Sequence, residues 1–237
     1  MIAPIDVYWT DLDAAASAAL PRWQALLDDS ETARAACFRF ARDRDRYIAC
    51  HGILRTLLAH SVGRPARALR FDVGSRGKPA LSDRAAHFNI SHSHHLALIA
   101  ISRDVTVGCD IELHDDRFLN ENIPAHFFSP AEIAELNALP QTEQPTAFFA
   151  GWTRKEAYIK ARGLGLSLPL DSFDVSLAPS ARPALHRGCA GWSARAFEPL
   201  PHCSAAVIAE GEDWPMNAQP LDALSLLDES AAHTRAA

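Results

Sequence analysis

HFNISHSHHLALIAIS, residues His87–Ser102, and VTVGCDIELH, residues Val105–His114, carry the stretch that decides the fold class. The first combines β-branched and aromatic residues, a polar interruption and an apolar run of strand length, and the second alternates apolar and polar residues at the period of a strand. Upstream, ALRFDV reads as a short strand and GSRGKPAL as a turn rich in Gly and Pro. Before these, RDRDRYIACHGILRTLLAHSVG spaces Ile48, Ile53, Leu54, Leu57 and Leu58 as a helix with one buried face, ending near Gly63. IDVYWTDL reads as an opening strand, and Ala14 to Ala41 as helical, interrupted by Pro21. Downstream, Ser129 as N-cap, Pro130 at N1 and Glu132 at N3 form a capping box, and a further helix runs from Thr146 to Arg162 and ends at Gly163. LSLPLDSFDVSL, HRGCAGWSARAFE and CSAAVIAE read as more strands. The order strand, helices, strands thus occurs twice, which predicts an α+β protein of two similar halves, residues 1–105 and 106–211. Residues 212–237, rich in Pro, Ala, Ser and acids, read as a loosely held tail.

A chain of 237 residues with 48% hydrophobic content can bury a proper core. Its 23 Lys plus Arg against 29 Asp plus Glu give a net charge of −6, which offers nothing to nucleic acid or an anionic membrane, so any basic site is local. Five scattered cysteines without paired spacing, an N-terminus without a signal-peptide pattern, and no apolar run of spanning length predict a cytoplasmic protein.

Three stretches carry candidate chemistry. In VGCDIE, Asp110 and Glu112 are two apart on a strand and share a face; two repelling carboxylates call either for solvent at a strand edge or for a cation such as Mg²⁺. In GWTRKEAYIK, Glu156 and Lys160 are an i, i+4 pair, an ordinary surface ion pair unless Glu156 is the third carboxylate and Lys155 and Lys160 sit on phosphate. The third set is basic and polar: Arg42 at a helix start, Lys78 before Pro79, and Ser91 with His92. Taken singly, Lys78 also suits a solvated turn and His92 a satisfied strand-end histidine.

GKPAL, FNISHS, VGCDIE, FFSPAEI and WTRKEAYIKARGLGLSLPLDSFDV, in this order, resemble the larger, Sfp-like 4′-phosphopantetheinyl transferases over residues 37 to 176. The resemblance implies two pseudo-symmetric α+β halves with the active site between them, in a monomer. It implies transfer of the 4′-phosphopantetheine arm of coenzyme A to a serine of an apo acyl or peptidyl carrier protein, releasing adenosine 3′,5′-bisphosphate. By position, Asp110, Glu112 and Glu156 are then the Mg²⁺ carboxylates and Glu156 the general base. Lys160 neutralises charge on phosphate; Lys78, held by Pro79, with Ser91, His92 and Lys155, contacts coenzyme A; Arg42 serves the 3′-phosphate. His94 stands where a glycine is common, and histidine accepts the positive φ of such a turn better than most residues. Glu132 is explained by its capping role. Two rival readings are a metal-dependent hydrolase of nucleotides or coenzyme A and a non-catalytic coenzyme A-binding module.

Overall fold

The computed structural model describes residues 2–115, 126–178 and 182–228. β1 (Ile5–Asp11) leads into α1 (Leu12–Gln24), where the Asp11 carboxylate caps the helix by accepting from the backbone N–H groups of Asp13 and Ala14. The helical stretch expected over Ala14–Ala41 is divided more deeply than Pro21 alone suggests. Ala19 leaves helical geometry, α1 ends at Gln24, and α2 (Asp29–Ala36) restarts from an Asp28–Glu31 capping box. α3 (Ala41–Val62) buries the expected apolar face and stops at Gly63, which takes left-handed backbone angles.

β2 (Phe71–Val73) and β3 (Pro79–Leu81) form a two-stranded ribbon around the Gly-rich turn. β4 (His87–Ser93) and β5 (Leu96–Ser102) make the hairpin expected from the opening stretch, and His94 in its turn has φ 54°. β6 (Val107–Leu113) follows, then α4 (Pro130–Ala138) behind the Ser129–Glu132 capping box, α5 (Gln144–Arg162) ending at left-handed Gly163, β7 (Trp192–Phe197), β8 (Cys203–Glu210) and β9 (Met216–Pro220).

The strands form two larger sheets, β4-β5-β1-β9 and β6-β8-β7. Period-2 alternation sends Ile5, Val7, Leu96, Leu98 and Ala100 of the first sheet against Val107, Cys109, Ile111, Ala205, Val207 and Ala209 of the second. The outer face of the first sheet carries α1 and α3 over Ile53, Leu54, Leu58, Ile99 and Ile101. The outer face of the second carries α5 over Ala206 and Ile208. Gly108 sets the close approach of α5 to β6, because a Cβ there would collide with the backbone of Ala157 and Ala161. Mixed α+β architecture is therefore what the chain adopts.

Two expectations are corrected. LSLPLDSFDVSL is not a strand: it forms single 3₁₀ turns at Gly165–Ser167 and Leu170–Ser172, and its one β-bridge joins Val175 to Leu185. Around that bridge the Asp174 and Ser176 N–H groups donate to the carbonyls of Arg187 and Ala184, and other backbone groups of the segment are taken by side chains. Leu170 and Phe173 carbonyls accept from Lys155, the Val175 N–H donates to Glu132, and the Leu177 N–H donates to Glu135. Nor is the segment after Gly211 loosely held as far as residue 228. Trp214 is 1% exposed, β9 pairs in parallel with β1, and the helical residues 223–228 bury Ala223, Leu226 and Leu227 in the first core. Residues 229–237 of that expected tail lie outside the described residues. No helix among the described residues is long and apolar enough to cross a membrane.

Candidate active site

The edge strand of one sheet, β4, meets the edge strand of the other, β6, and α5 closes over the junction. The Asn89 carboxamide oxygen accepts from the Cys109 backbone N–H at 2.8 Å and fixes the register of the two edges. On that register Ser91 and Ser93 face Asp110 and Glu112. Ser91 Oγ donates to Asp110 Oδ1 at 2.6 Å, and Ser93 Oγ donates to Glu112 Oε2 at 2.7 Å. From α5, Lys160 Nζ donates to the same Asp110 Oδ1 at 2.6 Å and to Ser91 Oγ at 2.9 Å. Asp110 Oδ2 is buried without a hydrogen-bond partner.

The electrostatics follow from packing acids together away from water. Burial, then the charge of Asp110, pushes Glu112 up to about 7. Burial and Asp110 also raise Glu156, with Lys160 opposing, so the three carboxylates feel one another. Asp110 is itself pushed up by burial against the pull of Lys160. Burial alone would depress Lys160, but the attraction and hydrogen bond of Asp110 outweigh it and hold the ammonium charged. The surface pair that i, i+4 spacing allows is not made: Lys160 turns from Glu156 to Asp110. Among the described residues no group of three or more His, Cys, Asp or Glu side chains stands in ready metal-holding positions.

Behind β4 the alternation puts His92 on the opposite side from Ser91. There it lines a cavity of about 490 Å³ between β4, α2 and α3, together with Arg34, Arg46, His51 and His94. This arrangement separates an acid cluster with one ammonium from a neighbouring basic cavity.

A family profile described as the 4′-phosphopantetheinyl transferase superfamily matches residues 106–214, and one described as 4′-phosphopantetheinyl transferase, N-terminal, matches residues 14–104. The chain is 38% identical over 194 residues to 4′-phosphopantetheinyl transferase HetI of Nostoc sp., covering 80% of this chain and 81% of that protein. It is 33% identical over 190 residues to 4′-phosphopantetheinyl transferase Sfp of Bacillus subtilis, covering 77% and 82%. The chain belongs to the 4′-phosphopantetheinyl transferase superfamily. It is accordingly a transferase enzyme, as the motifs implied.

Within this transferase, four expected coenzyme A residues have other surroundings. Lys155 is fully buried: its Nζ pairs with Glu132 Oε2 at 2.7 Å and donates to the carbonyls of Leu170 and Phe173. It lies inside the second core, paired to α4 and to the segment after α5. Lys78 Nζ donates to the carbonyls of Val107, Lys160 and Ala161 at 2.9, 2.7 and 3.2 Å, and so clasps the end of α5 to β6. Pro79 opens β3 directly after it. Arg42 is an exposed side chain paired with Asp43. The cavity is reached instead by Arg46, one turn along, whose guanidinium is braced by Asp13 and by the His94 carbonyl. Arg46, Asn89 and Ser93 were not singled out from the sequence. Period-2 spacing in FNISHS was the signal for the last two, since it sets 89, 91 and 93 on one face.

Proposed function

We propose that the chain transfers the 4′-phosphopantetheine arm of coenzyme A to a serine of an apo acyl or peptidyl carrier protein and releases adenosine 3′,5′-bisphosphate. The observation that carries this reading is the meeting of Asp110, Glu112, Glu156 and Lys160 at the β4–β6 junction, beside the cavity of Arg34, Arg46 and His92. Residues 1–105 hold the nucleotide end of coenzyme A in that cavity, with Arg34, Arg46 and His92 toward its 3′-phosphate, and residues 106–211 supply the reacting groups. Lys78 and Pro79 support the site from behind by securing α5.

In the transfer, the carrier serine Oγ forms a bond to the arm's phosphorus, and the bond from that phosphorus to the bridging pyrophosphate oxygen breaks. Glu156, whose raised pKa strengthens it as a base, takes the serine proton directly or through a water. Lys160, held charged and fixed by Asp110 and Ser91, neutralises charge on the phosphates.

The donor set fits Mg²⁺ in chemical kind, carboxylate oxygens with one buried Oδ2 lacking any partner, although the three side chains do not stand in ready metal-holding positions. Asp110, Glu112 and Glu156 would hold it, and when bound it supplies charge neutralisation on the pyrophosphate oxygens. The test is mass spectrometry of apo carriers incubated with the protein, coenzyme A and Mg²⁺. The expected result is the mass of the arm on one serine, abolished by EDTA and restored by Mg²⁺. Release of adenosine 3′,5′-bisphosphate without a carrier would instead make the enzyme a hydrolase. Full transfer in chelator would remove Mg²⁺ from the reading.

A further inference from the structure

Arg55 of α3 is wholly buried and ties α2 to the turn that follows α3. Its Nε donates to Glu31 Oε2 at 2.6 Å, Nη2 donates to the Asp28 carboxylate, and Nη1 donates to the carbonyls of Ala66 and Leu69 at 3.0 and 3.3 Å. Glu31, at N3 of α2, is thereby fixed with its other oxygen turned to His51, whose Nδ1 lies 3.1 Å from Oε1. The face of the His51 ring stacks on Tyr47, with centroids 4.0 Å apart and planes 30° apart. His51 is among the residues lining the basic cavity, and Glu31 stands behind it. Contacts therefore run from a buried guanidinium, through a carboxylate, to an imidazole in the cavity wall.

The protonation of this relay follows from its bonds. Burial alone would raise the Glu31 carboxyl, but the bonds from His51, the Asp28 N–H and Arg55 outweigh it and hold the group below its ordinary range. An ionised carboxylate only accepts, so Nδ1 of His51 carries the proton of this pair and Nε2 is the nitrogen left for a ligand. A ring whose plane and tautomer are set in advance loses little freedom on binding. An anion at Nε2 is met by an imidazolium, whose charge the Glu31 carboxylate balances across the ring.

We infer that His51 is a specificity-determining residue, telling nucleotides that bear a 3′-phosphate from those that lack it, and that Glu31 is its positioning residue. The inference rests on the transferase reading, which places the nucleotide end of coenzyme A in this cavity. It deepens that reading by naming a group of directed geometry beside Arg34 and Arg46, and the buried pair that aims it.

The test is calorimetric titration, with Mg²⁺ present, of coenzyme A and dephospho-coenzyme A, which differ only in the 3′-phosphate. The wild type should prefer coenzyme A. His51→Phe keeps a ring on Tyr47 and removes both nitrogens; it should weaken coenzyme A by about tenfold or more, the effect of one hydrogen bond to a charged group, and leave dephospho-coenzyme A within about twofold. His51→Gln, which keeps an N–H donor, should recover part of the preference. Glu31→Gln should lose part of it, and adding Glu31→Gln to His51→Phe should weaken coenzyme A no further, because Glu31 acts through His51. Where Glu31→Gln fails to fold through its loss at Arg55, Glu31→Asp, which keeps the charge but withdraws it from the imidazole, takes its place. Equal losses for the two ligands in His51→Phe would make its role structural and overturn the inference. So would an unchanged preference, or additive losses in the double variant. A wild type that loads a carrier yet binds the two ligands equally would sink this inference and leave the transferase reading standing. One that binds neither ligand and loads no carrier would sink both.

Discussion

Glu156 and Glu112 share a strand–helix junction yet test different things. Glu156→Gln removes charge at nearly constant volume, so transfer should fall by about a hundredfold or more while the melting temperature holds, measured as arm loading of a carrier beside a thermal scan. Glu112 has a folded pKa of about 7 against an ordinary 4.5. Folding of the metal-free chain therefore takes up a proton in that interval. This contribution to stability is fully present below 4.5 and is lost as pH rises to 7. Urea midpoints in EDTA should fall across the window for the wild type and flatten for Glu112→Gln; parallel profiles would show that Glu112 titrates normally. Lys155→Met strands the buried Glu132 carboxylate and two carbonyls, a loss of about 3–5 kcal/mol in urea unfolding. Coenzyme A affinity should survive wherever the variant is folded, because Lys155 touches core and not site. Two-residue and four-residue spacings fix a face within one element for Asp110 with Glu112 and for Glu156 with Lys160, whereas the grouping of the four came from the resemblance. The surroundings of Lys155 had no such signal: its ion-pair partner Glu132 lies on another helix and its two carbonyl acceptors in an irregular segment 15 and 18 residues away, which no local spacing reveals.

Lys78 acts at the scale of elements. An ammonium has three N–H donors, and here three carbonyls from β6 and the end of α5 receive them. Burial draws its pKa down to about 8, with the neighbouring Cys109 pulling the other way. Lys78→Met should destabilise the fold by about 2 kcal/mol, through orphaned carbonyls, and speed amide exchange in the last turn of α5. A variant with unaltered exchange there would show that the clasp contributes nothing. Most elements could be read in advance where a local signal closes them: the Ser129–Glu132 capping box, Gly63 and Gly163 as left-handed stops, and the apolar run of β5. Residues Leu166 to Leu177 read as strands because Leu, Val and Phe alternate there, but Pro169 lacks a donor and the neighbouring carbonyls and N–H groups go to Lys155, Glu132 and Glu135. Only residues 174–176 pair with another stretch of backbone, at residues 184–187, and a strand pattern taken partly by side chains cannot be told from one paired along its length in a sheet.

At the scale of the molecule, the chain after Gly211 is a return stroke. It leaves the second sheet at β8, buries Trp214 between the sheets, and adds β9 in parallel to β1 at the edge of the first. Leu221 then donates its N–H to Trp9, and its carbonyl accepts from Thr10. Composition hid this, because the apolar residues that matter are few and spaced among Pro, Asn and acids, and parallel pairing with a strand some 200 residues away leaves no local signature. The stroke joins the sheets whose edge strands, β4 and β6, form the acid cluster, so its loss should be felt at the site. Trp214→Ala removes a 1%-exposed indole from the inter-sheet core and the ring under Arg195, whose guanidinium lies 4.5 Å from its centroid. Its cost should be about 3–5 kcal/mol. Ending the chain at Gly211 removes that ring, a ladder and the buried helix together, which exceeds half of the 5–15 kcal/mol that typically holds a domain. The truncated protein is therefore expected to lose its cooperative unfolding transition, and with it arm transfer. A cooperative melt from a chain ending at Gly211 would show that the two sheets hold each other without the return strand.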